Sequence, residues 1–569
     1  MTIHHGFGWV MVCIQPGFGV RKGGDFAPMD TFDPTTDSIE KWRSLAEASM
    51  KGRSIESLAR HDHEGGLIKA LYTAADRPET LPTLGQTGWT IAQELEPTDS
   101  AATLNFAIMD ELAGGVGRID LPAGIDASLP GQSLDGVFLD AIDLGFAPGG
   151  DINDAIHAIT PIMGKLRGVS LGFDPGLALL EGGDAASGTN AVTDFLKAAD
   201  TPHDARGFAV AGDDYHLLGL GSATELATML AATVHILRTM EEAGIAPDAG
   251  WSRIEWRVTG DADLYGTIAR TRALVVLLQR VAEAVSASPE GIEARVHGIT
   301  SARHLTSLDA ETNILRNGTG LLGLALGGAG VITCRPHDWL TGSSAEALRL
   351  ARNAHHLMAE EARIAHVADP AAGSYFIEAM TRDLAEQAWA RFQDIEKTGG
   401  IAAASGMIHD WADAAHEARL RSINEGRENL LGVTIHPVMQ PRPGPVLDGA
   451  RGPRGGSRRP AAGWESLREA ASKRPLRCLL LDIRDEGRAG ECQRWFQVIG
   501  AEAAAMRVAS MAEAEATITS AKPDVVVLGG CDDVPLLATA AGEACRVLED
   551  TAFAGDKFAV MSDLVKGSA

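Results

Sequence analysis

Between about Ser100 and Ile395 the chain repeats one pattern, a short apolar or β-branched run followed by a segment of helix length. The runs fall at residues 118–123, 136–142, 168–174, 207–212, 253–258, 293–300 and 330–336. Strands that alternate with helices are parallel, because a parallel crossover needs a dozen or more residues. The sheet therefore either closes into a (β/α)8 barrel of the TIM type or stays open and doubly wound. A count near eight favours the barrel.

A chain of 569 residues is too long for one core, and 45% hydrophobic with 22% charged residues is an ordinary globular balance. The net charge of -26 excludes nucleic acid or an anionic membrane as the main partner. The longest apolar run, residues 320–332, is too short and glycine-rich to span a bilayer. Six cysteines (Cys13, Cys334, Cys478, Cys492, Cys531, Cys545) show neither CxxC nor metal-ligand spacing, which predicts reduced thiols, no bound metal and a cytoplasmic protein.

The most informative local stretch is "FAVAGDDYHLLGLGSATE", residues 208–225. A buried strand delivers Tyr215 and His216 onto a loop broken by Gly219 and Gly221, and Ser222 with Glu225 has the spacing of a capping box opening a helix. Strand ends are where a barrel carries its chemistry, so Tyr215 and His216 are the catalytic candidates.

Around the barrel the chain divides by texture. Residues 1–28 have no period and read as a disordered leader, with Met29 a plausible true start. Residues 29–99 read as a helical and extended arm, whose first helix carries Trp42, Leu45 and Ala46 on one stripe that needs a covering surface. Residues 65–76 look like a short strand and a turn, and Trp89 a half-buried packing residue. The barrel is assigned to 100–395 and a helical extension to 396–439, with helices at 382–396 and 403–429. Residues 440–465 are a proline-, glycine- and arginine-rich linker. Residues 466–569 follow a flavodoxin-like order of elements, with strands at 477–483, 501–508, 523–530 and 556–562, one short of the usual five.

Four ordered blocks carry a specific resemblance: "DDYHLLGLGSATELA" (213–227), "DADLYGTIARTRA" (261–273), the long block at 300–339, and "EEARIAHVADPAAGSYFIE" (360–378). Together with the barrel-plus-flavodoxin arrangement, the chain resembles the methylmalonyl-CoA mutase family. The resemblance implies a radical 1,2-rearrangement between methylmalonyl-CoA and succinyl-CoA, with adenosylcobalamin as cofactor and an acyl-CoA enclosed by the barrel. It implies that His216 bonds the thioester carbonyl with Tyr215 beside the substrate, and that Glu361 and the loop containing Asp369 and Gly373 lie near the corrin. A tight turn built on Pro370 and Gly373 is the competing reading of that loop.

The departures from the family pattern are as informative. The cobalt-binding motif Asp-x-His-x-x-Gly stands here as "DIRDEG": Asp482 and Gly487 match, but Arg484 replaces the histidine, and a guanidinium has no lone pair for a metal. The segment after Asp174 has no arginine before Arg206 to grip a substrate carboxylate. Residues 77–91 contain no tyrosine to shield a radical. These losses are similar to the small (beta) subunit of the heterodimeric enzyme, a partner of a large catalytic subunit that holds the cobalamin. The last domain is then a degenerate cobalamin-binding-like unit. A self-sufficient acyl-CoA mutase binding cobalamin without a histidine ligand is the alternative.

Overall fold

The computed structural model describes the whole chain except residues 1–35, 80–83, 123, 127, 199–200, 202–203, 440–457, 484–487, 530, 532–533, 543–544 and 568–569. The expected leader and most of the expected linker lie outside the described residues.

Eight parallel strands close into a barrel: β1 (Thr90–Glu94), β2 (Arg118–Leu121), β3 (Asp143–Phe146), β4 (Gly168–Phe173), β5 (Asp204–Ala211), β6 (Ile254–Gly260), β7 (Val296–Thr300) and β8 (Val331–Thr333). β8 pairs with β1 to complete the ring, Ile332 opposite Ile91. The alternation thus yields the barrel and not the open sheet. Two strands differ from expectation. β1 precedes residue 100, in the stretch assigned to the arm. Residues 136–142 are turns, with Phe138 79% exposed, and the strand is the following "DLGF". Gly145 sits in that strand because a β-carbon there would meet Asp120 Oδ1 at 1.8 Å.

Helices Ser222–Glu242, Leu264–Ala284 and Tyr375–Thr398 pack around one arc of the barrel, and the main core runs beneath them. The two helices expected after the barrel are observed at Tyr375–Thr398 and Ser405–Asn424. Trp89 is half-buried, its Nε1 donating to His355 Nδ1 over 2.9 Å. Residues 65–76 hold a two-residue strand, Leu67–Ile68, and a 3-10 turn, Ala74–Asp76, closed by a Thr73 capping box. Within residues 36–60, Trp42, Leu45 and Ala46 lie on helix Thr36–Ser49 as expected.

The last domain is a four-stranded parallel sheet: β9 (Arg477–Asp482), β10 (Glu502–Arg507), β11 (Val525–Gly529) and β12 (Arg546–Glu549), in the spatial order β10-β9-β11-β12. Residues 556–562, expected as the fourth strand, instead lie in helix Lys557–Gly567, which buries Met561 and Leu564 three residues apart. Helix Ala462–Ser472 begins inside the expected linker because Trp464 is needed in this core, 5.7 Å from Trp495 and 5.0 Å from Phe558 between ring centres. No disulfide joins any of the five described cysteines, and no helix among the described residues is long and apolar enough to cross a membrane.

Candidate functional site

At the end of β5 the chain turns at once into a short helix, Gly212–Leu217, so Tyr215 and His216 stand on a helix rather than a loop. Gly212 permits the turn, since a β-carbon there would meet Arg257 O at 2.3 Å. Tyr215 is fully buried and its hydroxyl donates to Asp174 Oδ2 over 2.7 Å. Asp174 caps helix Pro175–Leu180, accepting from Gly176 N and Leu177 N, and its second oxygen also takes Ala211 N. Burial raises its carboxyl to about 6 despite these donors.

His216 is equally enclosed. Its Nδ1 lies 3.0 Å from Glu225 Oε2, an oxygen that also accepts from Arg270 Nη1 at 3.2 Å. Arg270 Nη1 also lies 3.5 Å from Nδ1, and Nε2 lies 3.1 Å from Ser301 Oγ, so both ring nitrogens are engaged by protein groups. Burial first, then Arg303 and Arg270, hold the imidazole pKa well below its ordinary value. Burial raises the Glu225 carboxyl to about 7. The expected capping box is therefore absent: the helix opens at Gly221 without a side-chain cap of its own, and Glu64 receives Ala223 N at 2.7 Å and Thr224 N at 3.2 Å. Glu225 is released to face His216.

Below this helix the barrel interior is filled by paired charges. Arg118 on β2 donates Nη1 and Nη2 to Glu255 on β6 over 2.5 and 3.0 Å, and Nε to Asp120 over 2.9 Å. In the closed order β2 and β6 are four strands apart in a ring of eight, so this bidentate pair spans the barrel from one wall to the other. His297 on β7 bridges Glu255 at 3.3 Å and Thr333 at 2.8 Å. Arg257 holds Asp213 bidentately at 2.9 and 3.1 Å, and Arg335 joins it at 3.2 Å. Burial alone would raise the carboxyls of Glu255 and Asp213, but the arginines outweigh it and keep both well below their ordinary range.

Beside the ends of β2, β3 and β4 lies a cavity of about 270 Å³. Its charged lining is Asp151, Asp154, Asp174, Glu181 and Asp184, with no basic side chain among the described residues. Across the mouth, ligand atoms of His216, Asp261 and His304 lie within 4.8 Å of one another. However, Arg270 donates to Asp261 Oδ2 at 2.9 Å and Arg419 to His304 Nε2 at 3.0 Å. A cation there would face guanidiniums that already hold two of its three ligands, so the donor set suits hydrogen bonding rather than a metal.

A sequence profile described as methylmalonyl-CoA mutase matches residues 191–511. The chain is 31% identical to the methylmalonyl-CoA mutase small subunit of Streptomyces virginiae, covering 71% of each. It is also 31% identical to the probable methylmalonyl-CoA mutase small subunit of Mycobacterium tuberculosis, covering 75% of each. To the methylmalonyl-CoA mutase of Cereibacter sphaeroides it is 28% identical over 73% of this chain and 66% of that one. The chain belongs to the methylmalonyl-CoA mutase family.

The remaining positions that likeness to methylmalonyl-CoA mutase singles out are placed as follows. Glu361 ends a short π-helical turn and is exposed. Asp369 forms an ion pair with the fully buried Arg272. Gly373 has φ +85° and donates its N–H to Glu378 Oε1 over 2.7 Å, which is the behaviour of a turn before the helix capped by Ser374. Asp482 ends β9, between β10 and β11, 5% exposed and with neither carboxylate oxygen bonded among the described residues. Arg484 and Gly487 lie outside the described residues. Arginine at position 484 has no lone pair to offer a metal, and the Asp482 carboxylate has no imidazole to orient among the described residues, so the residues present do not fit cobalt ligation.

Arg118, Asp120, Glu255, Arg257 and Asp213 were not singled out from the sequence. The signal was there: "RID" and "RIEWR" place charges at i and i+2 on strands whose setting is buried, so those charges share the inward face.

Proposed function

We propose that the chain is the small, non-catalytic subunit of a heterodimeric methylmalonyl-CoA mutase, an isomerase complex interconverting methylmalonyl-CoA and succinyl-CoA. In this reading a large subunit in the cytoplasm holds both adenosylcobalamin and the acyl-CoA, and this chain stabilises it. Residues 466–569 are then a degenerate cobalamin-binding-like domain, and Tyr215 and His216 are packing groups.

The observation that carries the reading is the Arg118–Glu255 pair across the barrel. An acyl-CoA chain enclosed along the axis would have to displace a buried bidentate ion pair and leave its charges unpaired, at a cost of about 3–5 kcal/mol. Three further features agree. Both ring nitrogens of His216 are already within hydrogen-bond reach of protein groups, Nδ1 of Glu225 and Nε2 of Ser301. The cavity beside β3 and β4 repels a carboxylate-bearing substrate with five acids. Phe106, Met109 and Phe138 are exposed, and Asn105 Nδ2 ties their segments together through Ser133 O and Asp135 O, which leaves apolar surface of the kind a subunit covers.

The test is turnover of methylmalonyl-CoA with added adenosylcobalamin, by this chain alone and after reconstitution with a large-subunit homologue carrying an intact Asp-x-His-x-x-Gly motif. Activity is expected only in the reconstituted complex. Turnover by the isolated chain overturns the proposal.

A further inference from the structure

A second cavity, of about 260 Å³, opens on the opposite arc of the barrel mouth, between the ends of β6 and β7, the first turns of helix Thr312–Leu326 and the end of helix Ser405–Asn424. Arg303, Arg316 and Arg419 line it, with Glu428 as the one acid among the described lining residues.

Arg303 is 7% exposed, yet Nη1 donates only to main-chain carbonyls, His216 O at 2.7 Å and Leu220 O at 3.1 Å. Among the described ion pairs it has none, whereas Arg118, Arg257, Arg270 and Arg335 each meet a carboxylate. Among the described residues Arg316 likewise bonds only Thr306 Oγ1, Asn313 Oδ1 and Leu431 O. Arg419 spends Nη2 on Glu428 at 3.1 Å and Nη1 on His304. The Nε groups of Arg303 and Arg419 are buried without an acceptor. Glu428 cannot serve the rest, because His63 Nε2 takes its other oxygen at 3.1 Å. Burial, and after it the charge of Arg419, press the Arg303 guanidinium down to about 9. Arg303 thus has no carboxylate partner among the described residues while Arg419 has only Glu428, and a buried charge without a counter-anion is strongly unfavourable.

We propose that this cavity binds a small oxyanion of the phosphate class, held between Arg303 and Arg419 with Arg316 on its wall. The hydroxyls of Thr312 and Thr319 on the same wall already donate to Asp309 Oδ2 and Leu315 O, so the donors are the remaining N–H groups of the three arginines, which suit the tetrahedral set of phosphate oxygens better than the two oxygens of a carboxylate. Because Arg303 clamps the carbonyls of His216 and Leu220, occupancy is transmitted to the turn that carries Tyr215 and His216.

The experiment uses the full-length chain, in complex with its partner subunit where the two purify together. Binding of inorganic phosphate, of glycerol phosphate and of acetate is measured by calorimetric titration and by the shift in Tm at matched ionic strength. Saturable phosphate binding with a rise in Tm is expected, weakened at least tenfold by Arg419→Gln and unchanged by Glu181→Gln in the acidic cavity. Tighter binding of glycerol phosphate than of inorganic phosphate assigns the site to a phosphomonoester; the reverse assigns it to the free ion. Arg316→Gln reports in place of Arg303 variants, whose main-chain bonds are needed for folding. No saturable binding, equal binding of acetate, or phosphate affinity undiminished in both Arg419→Gln and Arg316→Gln overturns the proposal.

Discussion

Two cavities of almost equal volume, about 270 and 260 Å³, open at the same end of the same barrel and carry opposite charge. The acids of the first are largely spent on local backbone: Asp151, Asp174 and Asp184 each cap the helix that follows them. The arginines of the second are spent on backbone only in part: Arg303 Nη1 and Arg316 Nη2 reach main-chain carbonyls, but the Nε groups of Arg303 and Arg419 are buried without an acceptor among the described residues. A cluster of like charge therefore says little about ligands until each member's partner has been found. The strut from Arg118 to Glu255 joins the two arcs, because β2 borders the acidic cavity and β6 the cationic one.

Breaking that strut is the harshest test of the comparison. Arg118→Met leaves Glu255 charged and buried, with only the longer contact to Arg206 at 3.5 Å and His297 beside it. A loss of about 3–5 kcal/mol is expected in chemical denaturation, and the double variant Arg118→Met/Glu255→Met should recover much of it. A single variant as stable as the parent would show that the charges are solvated and the lumen open. Gly145→Ala is expected to cost about 1–3 kcal/mol, because the new methyl collides with Asp120 where Asp120 meets Arg118.

The two arcs should also respond to pH with opposite sign. Burial raises Asp174 to about 6 from 3.8, so the folded state holds that proton more tightly, and its contribution to stability is lost as pH rises from about 4 to 6. Burial and Arg419 lower His304 to about 3 from 6.5, so its contribution is lost as pH falls from 6.5 towards 3. Relative to the parent, Asp174→Asn should tilt the stability profile upward between pH 4 and 6, and His304→Asn should flatten the acid limb. Each tilt is on the order of 1 kcal/mol per pH unit. Denaturation midpoints across pH read the slopes, and slopes of equal sign would erase the contrast. The smallest effect is expected for His216→Ala in the reconstituted complex: turnover within about twofold of the parent, since both nitrogens of its imidazole are engaged by Glu225 and Ser301. A large fall in turnover with assembly intact would return His216 to catalysis.

The barrel was legible because strands buried on both faces leave apolar runs at regular spacing. β1 escaped because "TIAQE" offers only Ile91 and Ala92 as apolar residues, and β3 because Asp143 and Gly145 dilute it. Residues 556–562 misled in the other direction, apolar enough for a strand but periodic for a helix. At the site, the position of Tyr215 and His216 at a strand end was legible, while their bonding was not. The cap of the next helix comes from Glu64, 159 residues away from Ala223, and the partner of Arg118 is 137 residues distant. Local spacing cannot reveal a partner chosen by closure of the ring.

The strut has a consequence for descent. Reopening the lumen by one substitution passes through a protein with a stranded interior charge, while removing both charges together demands two simultaneous changes. Neither residue can drift away alone without stranding the other's charge in the interior, so the bar resists removal by single substitutions whatever the barrel axis is used for.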